Sequence, residues 1–524
     1  MGFSGLLGQV PFLDSLQGAL RFVTARLVLE MLVMYIVFKV VYILYFSPYS
    51  KIPGPKYKKL LPFWADLSLM RGQYSRQQRR WHQQYGPVVQ TGKSTVIILD
   101  PQALKTIYSS HRFPKHHMFY QSLRLFAENL FTTCDPTFYH KRLKLIAPMY
   151  SPSSVKRLEP LVYRACQRQL LDSLKERLAA NDSAGPPAIT VNMVQEFQRV
   201  TFSIIQELCF GGEEMMQTTG IGQDQIQTWI GLWMKSTGIK LFFPDFIMSE
   251  PPFLRKYFDG ERQLFSYMRR IVNRRLELIA EHEKQPENAG KPFVHDILQA
   301  LIDARDPDTK QPLSMVEVCA ELGVQLNAGF ETTSGATVLV VYALLLYPQV
   351  YETVMAELDR EFPDRSKPIV HSSDYDKLTY LEATVYEALR YYPLGPMAPP
   401  RMVPKGGTTL CGYYLPEGTD VGTSIYTWSH SPTIFENPER FDPGRYLGPD
   451  AEKNRNNMIT FMVGVRQCIG RRLAWAEMLI ILANFLRAYS FTSAEPNLAD
   501  KKSTDFPVSS FEDQQLLVTI TPRS

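Results

Sequence analysis

Apolar residues along the chain fall into three patterns. Residues 27–46 form an apolar window of 20 residues in which only Glu30 and Lys39 are charged. At about 1.5 Å per residue such a helix is about 30 Å long, the depth of a bilayer core. A charge at mid-membrane costs about 2.5–3.5 kcal/mol, but Glu30 lies near one end and Lys39 can reach the other along its own stem. The window is too long for a cleaved signal, and no small-x-small site follows it. Farther on, apolar residues recur at three- and four-residue spacing over 154–180, 194–210, 257–283, 314–347, 375–392 and 473–489, which predicts helices there. Alternating or turn-bounded stretches are confined to 87–99, 401–423 and 506–521, which predict small sheets. The expected fold class is mostly α with small β-sheets, preceded by one N-terminal transmembrane helix.

Lys51, Lys56, Lys58 and Lys59 follow the window, against Arg21 and Arg26 before it. The positive-inside bias therefore puts the bulk of the chain in the cytosol. Ile52-Pro53-Gly54-Pro55 lies among these lysines, and its two prolines fix φ and forbid a helix, so the anchor ends in a stiff elbow. No low-complexity linker or internal repeat divides the remainder, and 184–187 and 285–291 read as surface loops. The expected organisation is an anchor over 1–50, a Pro-rich hinge over 51–60 and one large domain over 61–524.

Composition narrows the class. With 45% hydrophobic and 21% charged residues, the 524-residue chain builds a large packed core rather than a disordered segment. A net charge of +5 is too slight to make nucleic acid the main partner. The six cysteines (Cys134, Cys166, Cys209, Cys319, Cys411 and Cys468) are scattered without a Cys-x-x-Cys, and five read as buried thiols of a reducing compartment. Gly220-Ile221-Gly222 runs into Gln225, so no G-x-G-x-x-G is present and no nicotinamide or flavin site is expected.

Cys468 differs from the other five. It lies in Phe461-Met462-Val463-Gly464-Val465-Arg466-Gln467-Cys468-Ile469-Gly470, just ahead of an apolar helix. Gly464 and Gly470 let backbone pass close to something flat or bulky. Free N–H groups and the dipole at a helix start favour thiolate over thiol, and a thiolate near an Arg is a nucleophile or a metal ligand. In the helix over 314–347, Ser314-x-x-Glu317 is a capping box and Pro348 marks the end. Gly323, Gly329 and Gly335 stand inside it at about 1 kcal/mol each. Close packing accounts for Gly323 and Gly335. Ala328-Gly329-Phe330-Glu331-Thr332-Thr333 instead sets small residues beside an acid and an alcohol, leaving room for a ligand, and the Thr332 hydroxyl can compete for an upstream carbonyl and bend the helix.

The completed pattern Phe-x-x-Gly-x-Arg-x-Cys-x-Gly resembles the haem-binding loop of the cytochrome P-450 family, the haem-thiolate monooxygenases, and the resemblance spans residues 53–521. It implies that Cys468 is the axial ligand of haem iron, in a loop framed by Phe461 and Gly464, and that Arg466 pairs with a haem propionate. A thiolate ligand pushes electron density onto iron and favours O–O cleavage. Residues 328–333 are similar to the family's oxygen-activating segment, which implies a hydrogen-bonding role for Thr332 and a proton relay through Glu331. Glu387 and Arg390, alone an ordinary helix ion pair, match the family's Glu-x-x-Arg. Phe441-Asp442-Pro443-Gly444-Arg445 supplies its second arginine, so the implied structural triad is Glu387, Arg390 and Arg445, with Arg440 excluded by register. Pro399-Pro400-Arg401 resembles the strand whose Arg meets a propionate. His140 and Lys144 stand where the family presents an aromatic or His and then an Arg, and the lysine keeps the charge without the bidentate fork. Residues 401–421 resemble fungal members, many of them in secondary metabolism.

The resemblance implies insertion of one oxygen atom from O2 into an apolar organic substrate, with electrons from NADPH through a separate reductase. It also implies a single-pass protein of the endoplasmic reticulum membrane facing the cytosol. A non-catalytic haem sensor or carrier is the alternative, and the Glu331-Thr332 pair speaks against it. Phe119, Tyr120, Leu123, Leu125 and Phe126 fall in the loop that roofs the family's pocket, and Trp229, Trp233, Phe242, Phe243 and Phe246 flank its access channel. His116 and His117 read as loop residues. Arg471 and Arg472 open a helix, where the dipole disfavours cations, and with Lys141 and Arg142 they suggest a basic face for the reductase.

Overall fold

The computed structural model describes residues 11–61, 67–181, 186–211, 220–242, 252–285, 296–306, 308–505 and 508–523. Helix Pro11–Val41 continues into a π turn at Tyr42–Phe46. Its segment Arg26–Phe46 has a mean hydropathy of 2.3, is not buried by the described residues, and is long and apolar enough to cross a membrane. The elbow after it is pinned to the body. Gln90 N donates to Pro53 O at 2.8 Å, and Lys59 Nζ donates to the carbonyls of Ser50 (3.2 Å) and Ile52 (2.6 Å). Lys58 is also buried, over the Trp81 ring. Two of the four lysines counted toward orientation are thus structural, which leaves Lys51 and Lys56 exposed to act on a membrane surface.

Helices dominate the body. The central helix, Met315–Leu346, is 32 residues long, and its capping box closes as expected, with Ser314 and Glu317 satisfying each other's backbone N–H. Its apolar residues are buried against Met193–Phe210, Arg255–Glu283, Thr379–Tyr391 and Arg471–Ala488, which makes it the axis of the core rather than a second membrane span. Met193–Phe210 is bounded by the Asn192 cap and by Gly211 in the left-handed region (φ 76°).

Element boundaries moved where tertiary partners intervene. The helix expected over 154–180 is Pro152–Cys166, a π turn at Gln167–Asp172, and Ser173–Ala179. That expected over 375–392 divides into Ser372–Tyr375 and Thr379–Tyr391, because buried Glu357 accepts the N–H groups of Tyr380 and Leu381 and starts the second helix there.

The sheets lie at the edges of this body. A four-stranded sheet has the order β1-β2-β7-β4 (Val88–Gly92, Thr95–Ile98, Asp420–Gly422, Arg401–Met402), with β2 and β7 parallel and the other pairs antiparallel. The pairing Arg401↔Val421 places Arg401 on the edge strand β4, against β7. An antiparallel sheet β3-β11-β8 (Ile189–Asn192, Leu517–Pro522, Tyr489–Ser493) was only partly foreseen. β3 is four residues long, too short to alternate visibly, and β8 begins at Tyr489, the last residue of the helix expected over 473–489. Two hairpin-like pairs, β5-β6 (Thr408–Leu410, Tyr413–Leu415) and β9-β10 (Ser503–Thr504, Ser510–Phe511), complete the described strands.

Candidate active site

Cys468 follows a single 3-10 turn, Gly464–Arg466, and precedes helix Arg471–Ala488. Its N–H donates to Phe461 O at 2.9 Å, which closes the loop on itself. Gly464 holds φ 79°, and a Cβ there would lie 2.0 Å from Tyr108 O, so only glycine fits this close approach of backbone. The Cys468 side chain remains accessible although protein surrounds it. Burial raises its thiol pKa, and the N–H groups of Gly470 and Arg471 only partly oppose this. The expected thiolate is therefore not favoured by the helix start alone; desolvation outweighs it.

Of the other cysteines, Cys166, Cys209 and Cys319 are buried, but Cys134 is half-buried and Cys411 exposed, at odds with the uniform burial expected.

A cluster of cations lies beside this loop, in a pocket whose lining includes Tyr108, His111, Lys115, Cys134, Arg401 and Arg466. Arg466 lies 3.5 Å from the centre of the Tyr139 ring, whose hydroxyl donates to Val465 O at 2.9 Å. Arg401 Nη1 donates to the Tyr120 hydroxyl at 2.9 Å. Lys115 sits 4.0 Å over the Tyr120 ring, donates to Phe131 O and is bridged to Arg401 through the backbone. Burial, reinforced by Arg466 and Arg401, pushes the Lys115 ammonium down to about 6. Arg466 is drawn down to about 10 by burial, with Arg401 adding to it. His111 is lowered for the same reasons.

No carboxylate lines this pocket among the described residues, and Arg466 Nε and Nη1 are buried without a hydrogen-bond partner. Two buried cations, Lys115 and Arg401, and the half-buried Arg466, next to an accessible cysteine, fit a cofactor carrying two carboxylates.

His140 reaches this cluster indirectly, its ring 5.0 Å from that of His111. Lys144, one turn on, is exposed and outside the lining. Sequence reasoning missed Lys115 and His111, because Arg112-Phe113-Pro114-Lys115 has no periodicity and becomes a site only where it crosses Arg401. His116 was read as a loop residue, but its Nδ1 caps helix His117–Ser122 and its Nε2 lies 3.1 Å from Asp420.

The central helix opens at one place. Residues 318–326 and Phe330 are buried, whereas Ala328 is exposed and Asn327, Glu331 and Thr332 are partly so. Thr332 Oγ1 donates to Ala328 O at 2.7 Å, and Thr201 Oγ1 donates to Phe330 O at 3.0 Å, so two carbonyls here accept from side chains. Burial raises the Glu331 carboxyl. Gly329 makes room for a side chain rather than a ligand, since a Cβ there would meet Ile205 at 2.5 Å; Gly323 and Gly335 face Leu125 and Leu394 as closely as packing predicts. Buried Glu477, raised to about 8 by desolvation, bonds Thr333 from the helix after Cys468. Tyr150, beside Gly470, donates to Gln325 at 2.7 Å. These contacts tie the cysteine helix to the segment carrying Thr332.

Behind the loop, Glu387 accepts Arg390 Nε and Nη2, both at 2.8 Å, Arg445 Nε at 3.0 Å and Asp442 N at 2.7 Å. The structure thus brings Glu387, Arg390 and Arg445 together. Arg440 is exposed and adds only its carbonyl. Of the cations assigned to a basic face, Arg471 and Arg472 are exposed, but the other two are not available. Arg142 is buried against Glu317 and Glu321, and Lys141 pairs with Asp306 and Asp308. Helix spacing does not reveal such partners, which come from residues 306–321.

In the roof loop, Tyr120 belongs to the cation cluster, Leu125 packs on Gly323, and Phe126 stacks edge-on against Phe265. Trp229 and Trp233 are buried; Phe243, Phe246 and the Phe242 side chain lie outside the described residues.

The family model described as Cytochrome P450 matches residues 55–513. The chain belongs to the cytochrome P450 family. Among curated relatives, cytochrome P450 monooxygenase helB2 of Aspergillus fumigatus is 31% identical over 87% of this chain and 88% of its own. Cytochrome P450 monooxygenase BOT1 of Botryotinia fuckeliana is 30% identical over 92% of both chains, and atnE of Emericella nidulans is 29% identical over 85% and 86%. The crystal structure of the cytochrome P450DA heme domain shares the fold, with a TM-score of 0.71 at 20% identity, over 90% of this chain and 98% of that one. This P450 is therefore a haem-thiolate monooxygenase, an oxidoreductase that incorporates oxygen from O2.

Proposed function

We propose that this P450 is a membrane-anchored enzyme that oxidises an apolar small molecule, with Cys468 as the haem ligand. The observation that carries the reading is the carboxylate-free cation pocket of Arg401, Arg466 and Lys115 beside the Cys468 loop. In that role these three hold the haem carboxylates, with His111 and His140 along the same edge. Thiolate-ligated haem supplies the oxidising chemistry. Phe461 and Gly464 shape the ligand loop, and the Glu387, Arg390 and Arg445 triad fixes the core behind it.

The protein's own task is then to deliver protons and exclude water. Glu331, partly buried and with its carboxyl raised above the ordinary range by burial, is placed to pass protons inward; Thr332, one residue on, presents a hydroxyl that can exchange its bond to Ala328 O for one to a bound molecule. Apolar Ala328 and the Leu125–Phe126 loop favour an apolar guest. No flavin or nicotinamide motif is present in the sequence, so a separate NADPH-dependent reductase supplies electrons, with exposed Arg471 and Arg472 as its contact. The anchor over 1–50, its apolar segment Arg26–Phe46 and the pinned hinge over 51–60 suit attachment to the endoplasmic reticulum, catalytic domain 61–524 toward the cytosol. The fungal relatives make secondary metabolism the setting this reading favours.

The test is the reduced protein with CO. A red-shifted Soret band should appear, and Cys468→His should abolish it; an unchanged band in the variant would move the ligand elsewhere. With NADPH and a fungal reductase, oxygenated product should form from an apolar substrate pool.

A further inference from the structure

A row of aromatic rings leads away from the Cys468 loop and takes no part in the chemistry described above. The Trp475 ring stands 6.2 Å from that of Phe461, tilted by 66°, and the Phe461 carbonyl accepts the Cys468 N–H at 2.9 Å. On its other side Trp475 meets Tyr386, ring centres 4.3 Å apart, and Tyr386 stacks on Tyr446 at 5.1 Å. Both tyrosines are buried, whereas Trp475 is partly exposed. Trp475 therefore joins the ligand loop to solvent.

The polar partners of these rings differ in kind. Trp475 Nε1 donates to Glu382 Oε1 at 3.1 Å. A partly buried indole commonly finds some acceptor, but here the acceptor is a carboxylic side chain, which can take up a proton. The tyrosines have cations instead. The Tyr386 hydroxyl bonds Arg471, and Arg455 lies 5.6 Å over the Tyr386 ring. The Tyr446 hydroxyl is buried and has no hydrogen-bond partner among the described residues. Indole and phenol rings give up a single electron more readily than other rings, and each becomes a far stronger acid on doing so. A neighbouring base then completes the oxidation, while a cation against the ring opposes it. Of the three, only Trp475 has the base.

We propose that Trp475 is a one-electron oxidation site that relieves the haem when hydrogen peroxide oxidises it with no substrate bound. The proposal rests on the reading that Cys468 holds the haem. Reducing hydrogen peroxide to two waters takes two protons from solvent and two electrons, both drawn through the haem. Trp475 returns them one at a time by way of the Phe461 ring, passing its Nε1 proton to Glu382 on each occasion. A thiolate in solution then gives the indole radical an electron and becomes a thiyl radical, and Glu382 gives the proton back. The oxidising equivalent leaves at the surface rather than attacking the Cys468 sulfur, which can itself be oxidised irreversibly.

The test mixes ferric, full-length, haem-loaded protein in detergent with hydrogen peroxide, without substrate, and freezes it rapidly for electron paramagnetic resonance. Wild type should show a neutral indole radical and, with no thiol added, oxidised Trp475 in digested peptides. Trp475→Phe should lose both, keep the CO band, and in peroxide with added thiol bleach its haem severalfold faster than wild type. Glu382→Gln keeps the indole without its base and should lose the neutral-radical signal. A tyrosyl signal in place of the indole one, or equal bleaching in wild type and Trp475→Phe, would overturn the proposal. If Trp475→Phe does not hold haem, Glu382→Gln decides, because an unchanged indole signal there would overturn the proposal and its loss would support it. The underlying reading fails separately, as a wild type without the red-shifted CO band.

Discussion

Lys115→Met should change the pH dependence of haem binding by one proton. The Lys115 ammonium is pushed from its ordinary 10.5 to about 6, by burial and then by Arg466 and Arg401. That displacement corresponds to roughly 6 kcal/mol against the charged form, so Lys115 is largely neutral at pH 7. Bringing carboxylates into the pocket reverses the balance, because two anions beside the amine favour the ammonium. Binding therefore takes up one proton at Lys115 between pH 6.5 and 8.5. Over the same range, thiolate ligation by Cys468 releases one, since its free thiol is raised above the ordinary value. The two cancel in the wild type, and its affinity should be nearly flat with pH.

In Lys115→Met only the release remains, so its affinity should rise by up to about tenfold per pH unit. The variant's deficit is thus greatest near pH 6 and shrinks above it. Arg466, drawn only to about 10, stays charged throughout, and His111, held below its ordinary value, stays neutral over most of the range. The assay is transfer of haem to excess apomyoglobin, followed at a series of pH values together with rebinding to the apoprotein. Parallel profiles for wild type and variant would refute the argument, for they would mean that Lys115 does not face the carboxylates.

Thr332→Ala removes the hydroxyl that now bonds Ala328 O. It should keep the CO band and NADPH consumption while product per NADPH falls by about 10²-fold and peroxide rises, as for loss of a proton-delivering group; unchanged coupling would remove Thr332 from the chemistry. Glu387→Gln leaves fully buried Arg390 without its counter-charge, which should cost about 3–5 kcal/mol, read as a lower urea midpoint and earlier haem loss, with Arg440→Ala as the near-neutral control. Removing residues 1–46 while keeping the pinned elbow should release the protein from membrane pellets with haem content unchanged; haem loss would make the first helix part of the fold.

What could be read in the residues was chemistry encoded at short range. Phe461 to Gly470 is one loop, Ala328 to Thr333 less than two helical turns, and Glu387 to Arg390 a single turn, so spacing alone carries their geometry. The apolar window behaves likewise, because a helix with no covering partner needs nothing but its own length and hydropathy. The six expected helices were legible for the same reason, but Tyr74–Tyr85, Gln223–Phe242 and Pro348–Glu361 were not foreseen, and the start of Thr379–Tyr391 waited on Glu357 in the last of these.

The tertiary structure alone decided which charges are free. Arg142, Lys58 and Lys59 are indistinguishable in sequence from surface cations, yet all three are buried and committed to partners. Lys115 looked like part of an unremarkable loop until the chain returned nearly three hundred residues later with Arg401, and again with Arg466. The physical reason is common to all of these. A side chain's charge state and hydrogen bonds depend on what is buried beside it, and that company is assembled by long-range packing, which local spacing does not record.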